Sequence, residues 1–174
     1  LGFSIKMIFA KVDDLTYIGY NYPHLCLLVT IEGVDYLVDV ANGQNVREAM
    51  PVDDETYISL SENREYRIKK VDNEYSLLVD HKHKGWTARY HFTKEIKRVA
   101  AFSYIFEGKE YHEFAEHTPL LVTMALKEGR VTLLDDKLIL KDGDLRREWD
   151  VTDENKAEVL RDYFKICLDF SENL

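Results

Sequence analysis

The sequence predicts an α+β protein: an antiparallel β-barrel over residues 1–98, followed by a small α/β portion, 99–174, that closes with a helix. Three observations predict it. Short alternating apolar runs, separated by turn residues, fill the first half of the chain. A two-residue Glu32-Gly33 turn joins two of these runs into a hairpin. Near the end the period changes from two to helical spacing, and Val159, Leu160, Tyr163, Phe164, Cys167 and Leu168 fall on one face.

Element by element, residues 3–10 alternate as a strand. Residues 12–23 read as a loop, with Asp13-Asp14, the tyrosines Tyr17, Tyr20 and Tyr22, and the breakers Gly19 and Pro23. The hairpin follows, His24–Ile31 and Val34–Val40, and then the turn-rich Ala41-Asn42-Gly43-Gln44-Asn45. Val46–Met50 is expected as a short helical turn before Pro51. Tyr57–Leu60, Tyr66–Val71 and Tyr75–Val79 read as strands. Trp86–Phe92 is another, with Trp86, Ala88, Tyr90 and Phe92 expected on one face. Together these form a meander that curls into a barrel. Residues 94–117 mix helical signals with loop. Leu120–Ala125, Val131–Leu134 and Lys137–Leu140 are strand-like. Thr152 or Asp153 can cap a helix over about 154–168, in which Cys167 serves as core packing.

At 174 residues, 45% hydrophobic and 12% aromatic, the chain has ample material for a packed core. Its formal net charge of −9 argues against a general nucleic-acid binder, which needs a basic surface. No run reaches membrane-spanning length. Two cysteines in apolar runs, Cys26 and Cys167, read as buried free thiols in a reducing, cytoplasmic setting rather than as a disulfide framework. The chain opens on Leu1, already in a strand pattern, so a preceding segment is expected.

The sharpest chemistry lies in the hairpin. Pairing Ile31 with Val34 across the turn sets Leu27 against Val38 and Val29 against Tyr36. The opposite face then carries His24, Cys26, Leu28, Leu37, Asp39 and Ala41, with Cys26 opposite Asp39 and His24 diagonal to it. A carboxylate beside an imidazole is the orienting half of a catalytic triad. The plainer alternative is a hairpin whose His and Asp hydrogen-bond each other and do nothing more. Cys26 could be the nucleophile of a self-contained dyad, but a mid-strand apolar setting is a poor place for an active thiol. His81 and His83, with Asp80, have donors for zinc, yet they sit on a lysine-bearing turn that reads as solvated; no metal is expected. Tyr17, Tyr20 and Tyr22 suit either an aromatic-acceptor pocket or plain packing.

At His24 and Tyr36-Leu37-Val38-Asp39-Val40 the chain resembles the arylamine N-acetyltransferase family, which carries a histidine opening a strand, a short hairpin, and a Tyr-Leu-Val-Asp-Val strand bearing the triad aspartate. Leu1-Gly2-Phe3 and Ala10-Lys11-Val12, the tyrosine, tryptophan and phenylalanine landmarks between Tyr66 and Phe92, Thr118-Pro119 and Gly129–Leu133 follow the same family order. The resemblance implies a papain-like fold, with a barrel and an α/β lid. It implies a Cys-His-Asp triad in which His24 and Asp39 are catalytic, and ping-pong transfer of an acetyl group from acetyl-CoA to an aromatic amine or hydrazine. No metal, nucleic acid or membrane is implied.

Two departures stand out. The family's nucleophile lies in an Arg-Gly-Gly-x-Cys motif upstream of its Leu-Gly-Phe stretch, outside residues 1–174. The glycine-rich loop near the coenzyme phosphates is replaced by Ala41, Asn42 and Gly43, whose backbone N–H groups remain the expected coenzyme contacts. The alternative function is a non-catalytic β-barrel binding or assembly domain, or an inactive fragment with a family-like scaffold.

Overall fold

The structure is a computed structural model. It describes residues 2–12, 24–40, 46–61, 64–81, 83–103, 107, 112, 116, 119–127 and 129–168. The chain divides into two compact units, Leu1–Glu116 and His117–Leu174. Among the described residues, no helix is long and apolar enough to cross a membrane.

The first unit is an eight-stranded antiparallel sheet, nearly closed into a barrel. Its strands are β1 (Ser4–Lys11), β2 (His24–Ile31), β3 (Val34–Val38), β4 (Met50–Pro51), β5 (Ser59–Ser61), β6 (Arg64–Val71), β7 (Glu74–His81) and β8 (Thr87–Phe92), in the order β4-β3-β2-β1-β8-β7-β6-β5. β1 is thus the seam that joins two hairpin stacks. The β2–β3 register is the one the turn dictates, Ile31↔Val34 through Leu27↔Val38. Glu32 (φ 51°) and Gly33 (φ 82°) both take left-handed backbone, as a two-residue hairpin turn of this hand requires. The face that enters the core carries Cys26, Leu28, Leu37 and Asp39, joined by Ile8, Ala10, Met50, Tyr66, Ile68, Leu77, Tyr90 and Phe92.

Three local expectations are corrected. Met50–Pro51 is a strand bridged to Tyr36 and Leu37, not a helical turn, because Met50 and Val52 are drawn fully into the core. Trp86 and Ala88 do not share the face of Tyr90 and Phe92. The β7–β8 pairing slips between Leu77 and Leu78, whose partners are Tyr90 and Ala88, so Arg89 is an extra residue that reverses the alternation. Tyr90 and Phe92 point into the core, while Trp86 is half-buried outside with the Arg67 guanidinium 4.2 Å over its ring. The third correction lies in the second unit, at Cys167.

A polar clasp holds one side of the barrel. Lys94 Nζ donates to Asp35 Oδ2 at 3.1 Å and to Asp53 Oδ2 at 2.7 Å, Thr30 donates to Asp35 Oδ1 at 2.7 Å, and Tyr75 donates to Asp53 Oδ1 at 2.9 Å. The Thr30 hydroxyl, then Lys94, hold the Asp35 carboxyl below its ordinary 3.8; Lys94, then Tyr75, do the same for Asp53. Because the folded values lie below the unfolded ones, this stabilisation is complete above the ordinary carboxylate range and is lost as pH falls through the lowered values. Lys94→Met should therefore cost about 1 kcal/mol or less at neutral pH, since these groups are partly solvated, and should flatten the acid limb of the melting temperature against pH. An acid limb identical to that of the parent would remove the clasp from the stability of the barrel.

The second unit is a four-stranded antiparallel sheet, β12-β11-β10-β9, made of β9 (Leu121–Ala125), β10 (Gly129–Leu134), β11 (Lys137–Asp142) and β12 (Leu145–Asp150), followed by a C-terminal helix, Asp153–Phe164. Its core gathers Val131, Leu133, Leu138, Val151, Val159, Leu160 and Phe164. At Gly129 the strands approach so closely that a Cβ would lie 2.0 Å from the Lys141 carbonyl oxygen. The helix starts at Thr152, whose N–H donates to Asn155 Oδ1 at 2.9 Å. It ends sooner than the apolar spacing suggests. Lys165 turns left-handed (φ 60°), and the Ile166 N–H returns to the Leu160 carbonyl at 3.1 Å, a Schellman closure. Cys167 consequently lies beyond the helix and is exposed rather than part of the core.

Candidate active site

The site is built where β1, β2, the end of β3 and β8 meet. His24 opens β2 and is paired with Ala10, which is paired on its other side with Phe92. Two residues along β2, Cys26 pairs with Ile8 and turns into the core. Asp39 follows the last ladder residue of β3, and its side chain keeps the inward face. The register thus brings His24 and Asp39 together: His24 Nε2 and Asp39 Oδ2 are 2.9 Å apart. The Asp39 side chain has no solvent exposure, whereas 17% of the His24 side chain reaches water.

A buried carboxylate is costly unless hydrogen bonds satisfy it. Asp39 has a second partner besides His24: the Tyr90 hydroxyl donates to Asp39 Oδ2 at 3.1 Å. The rings of His24 and Tyr90 lie with centroids 5.4 Å apart, tilted by 45°. Burial, then the neighbouring Cys26 and Asp39, push the Tyr90 phenol well above its ordinary range, so it remains a donor. Sequence reasoning does not reach Tyr90 as a member of the site. Its alternation with Phe92 signals burial, but the order in which β8 lies beside β1 is not written in any local pattern.

Cys26 sits under this pair and is almost wholly buried. Burial foremost, and then the Asp39 charge, push its thiol up to about 12, against a weaker opposing hydrogen bond from Tyr90. A thiol that stays protonated at neutral pH is a poor nucleophile. What the arrangement offers instead is an imidazole oriented through Nε2, with Nδ1 left to accept a proton from a group arriving at the partly open ring. The nitrogen, sulfur and carboxylate atoms of His24, Cys26 and Asp39 also lie within 4.8 Å of one another. Among the described residues, His81 and His83 join no such cluster; both are exposed near the β7–β8 turn, and His83 takes a left-handed φ of 57°. Ala41, Asn42 and Gly43, and the tyrosines at 17, 20 and 22, lie outside the described residues.

Residues 1–173 match the profile of a family described as N-acetyltransferase. No curated protein sequence matches the chain. Among solved structures, it is similar to the arylamine N-acetyltransferase from Salmonella typhimurium, with a TM-score of 0.77 and 20% identity over 99% of this chain and 65% of that one. It is also similar to one from Bacillus cereus described as having a Cys-His-Glu catalytic triad, with a TM-score of 0.71 and 20% identity over 96% of this chain and 67% of that one. A third, from Mycobacterium marinum and solved in complex with CoA, gives 0.70 and 20% identity over 95% of this chain and 64% of that one. At these identities the likeness is one of fold. The chain spans about 65% of the length of the Salmonella protein.

Proposed function

The chain belongs to the N-acetyltransferase family, and from that premise we propose that it supplies the base and its orienting carboxylate to an arylamine-type acetyl transfer. The observation that carries this reading is the 2.9 Å bond between His24 Nε2 and an Asp39 side chain held wholly out of water. An imidazole pinned at Nε2 by a carboxylate keeps the tautomer whose other nitrogen can take a proton. The acyl donor is acetyl-CoA, and the acceptor is an aromatic amine or hydrazine. The nucleophile is a cysteine outside residues 1–174.

The roles follow from the chemistry. His24 Nδ1 takes the proton of the incoming thiol, and the imidazolium so formed is stabilised by Asp39. The thiolate attacks the donor carbonyl, a new carbon–sulfur bond forms, and coenzyme A leaves as a thiol with the proton returned by His24. The amine then attacks the acetyl-cysteine and gives up its proton to His24. The carbon–sulfur bond breaks, and the cysteine is regenerated. Ala41, Asn42 and Gly43 are proposed as backbone contacts to the coenzyme phosphates. Asp39 in place of the glutamate described for the Bacillus cereus protein gives a Cys-His-Asp set.

The purified protein, mixed with acetyl-CoA, should gain one acetyl group by intact mass, on a cysteine outside residues 1–174, and should lose it on addition of an arylamine. An adduct on Cys26, or none together with no arylamine acetylation, would overturn the reading. Tyr90 enters as a positioning residue, acting through Asp39. Tyr90→Phe should lower kcat by roughly tenfold, the equivalent of one hydrogen bond to a charged group, with KM for the amine unchanged. An unchanged kcat would remove Tyr90 from the site.

A further inference from the structure

We propose that His24, Cys26 and Asp39 form a three-donor site for a single thiophilic divalent cation of the zinc or cadmium type. The hairpin register already sets the three on one face, although the histidines of the β7–β8 turn are the more evident donors in sequence. The three side chains come from β2 and the residue after β3, and their nitrogen, sulfur and oxygen donors all lie within 4.8 Å of one another. Tetrahedral zinc, with bonds of about 2.0 Å to nitrogen and oxygen and about 2.3 Å to sulfur, sets its donors roughly 3–4 Å apart. Binding therefore closes separations of up to 4.8 Å and opens the 2.9 Å His24–Asp39 contact by a few tenths of an ångström.

Charge and environment favour the same class of ion. A divalent cation with one thiolate and one carboxylate is neutral overall, which suits a buried site better than any charged alternative. Thiolate with imidazole selects zinc or cadmium over magnesium or calcium, which require oxygen ligands. The Tyr90 hydroxyl, already donating to Asp39 Oδ2, is the outer partner that orients a ligating carboxylate. The partly exposed His24 edge provides the way in, and a water takes the fourth position. The proposal does not rest on acetyl transfer, since it needs only these three side chains and is read by binding. An ion held there would occupy the imidazole, so metal binding and use of His24 as a base exclude each other.

The test is titration of the purified protein with Cd²⁺, followed by the sulfur-to-cadmium charge-transfer absorption, and with Zn²⁺ by calorimetry; Mg²⁺ is the control. Cys167 is an exposed thiol and the acetyl-accepting cysteine proposed above is another, so the protein with both replaced by Ser is the reference. That protein should bind one equivalent and show the band. Cys26→Ala should abolish the band and weaken Zn²⁺ by more than the roughly 10–100-fold that outer-partner changes cost. His24→Gln, at a partly exposed position, should weaken Zn²⁺ comparably and gives a second reading if Cys26→Ala does not fold. A band that vanishes in the reference protein, survives Cys26→Ala, or never appears would overturn the site. So would Zn²⁺ affinity unchanged in His24→Gln, or equal competition by Mg²⁺.

Discussion

Asp39→Asn is expected to lower the rate of acetyl transfer by roughly 10⁴-fold while leaving the protein folded. The magnitude is that of the corresponding change in a serine-protease triad, and the physics carries over. The Asp39 carboxylate can only accept hydrogen bonds, so the His24 nitrogen facing it across 2.9 Å must carry a proton. An amide there can turn its NH₂ toward His24 and favour the opposite tautomer, leaving a protonated nitrogen where the base is needed. It also withdraws the charge that supports the imidazolium. The Asn side chain is nearly isosteric, and an NH₂ at the Oδ2 position would donate to the Tyr90 oxygen instead of accepting from it, so packing is preserved. Single-turnover acetylation measured beside circular dichroism checks this. Normal turnover in a folded Asp39→Asn protein would end the assignment of His24 and Asp39 as a catalytic pair.

The second large effect is on stability. Leu133→Ala should destabilise the His117–Leu174 unit by about 2–5 kcal/mol. Leu133 is completely buried at the next-to-last position of β10, between Val122 on β9 and Leu138 on β11. It belongs to the cluster that includes Val159, Leu160 and Phe164 of the helix. Deleting most of its side chain removes apolar contact and leaves a cavity that paired strands on both sides cannot close. A unit this small has little stability in reserve, so a thermal midpoint lower by on the order of 10 °C is expected. Hydrogen exchange should locate the loss in β9–β12 and the helix, with the barrel amides unaffected. Equal loss of protection in both units would mean that they unfold as one.

The legible part of the molecule is the part governed by local rules. The Glu32-Gly33 turn fixes the hairpin register by itself, and a side-chain period of two then carries His24 and Asp39 to the same face. The barrel strands are legible because each buries only one side. β12 escapes a sequence reading because Leu145-Arg-Arg-Glu-Trp-Asp is an edge strand exposed along its whole length, with no apolar alternation to announce it. The end of the helix is misplaced by the pattern because the apolar spacing runs on through Cys167, while a left-handed Lys165 stops the backbone first. In the site, Tyr90 is hidden because its partnership with Asp39 spans 51 positions in sequence and depends on β8 lying beside β1. Cys26 is visible as a neighbour of the pair, but its buried thiol, raised to about 12, is a property of the folded barrel alone.

The bulge at Arg89 has a consequence for how relatives of this chain are compared. Because Arg89 is an extra residue, Trp86 and Ala88 face outward although they stand four and two positions from the inward Tyr90. Replacing Arg89 by another residue keeps the count, and with it the Tyr90 hydroxyl on Asp39. Deleting it leaves Ala88 and Tyr90 consecutive opposite the consecutive Leu78 and Leu77, so plain alternation keeps Tyr90 and Phe92 inward and Trp86 and Ala88 outward. A single-codon deletion at this point is therefore expected to keep both faces of β8 and to lose only the local bend and twist that a bulge imposes. Homologues aligned across β8 that lack this one residue should still hold the tyrosine inward.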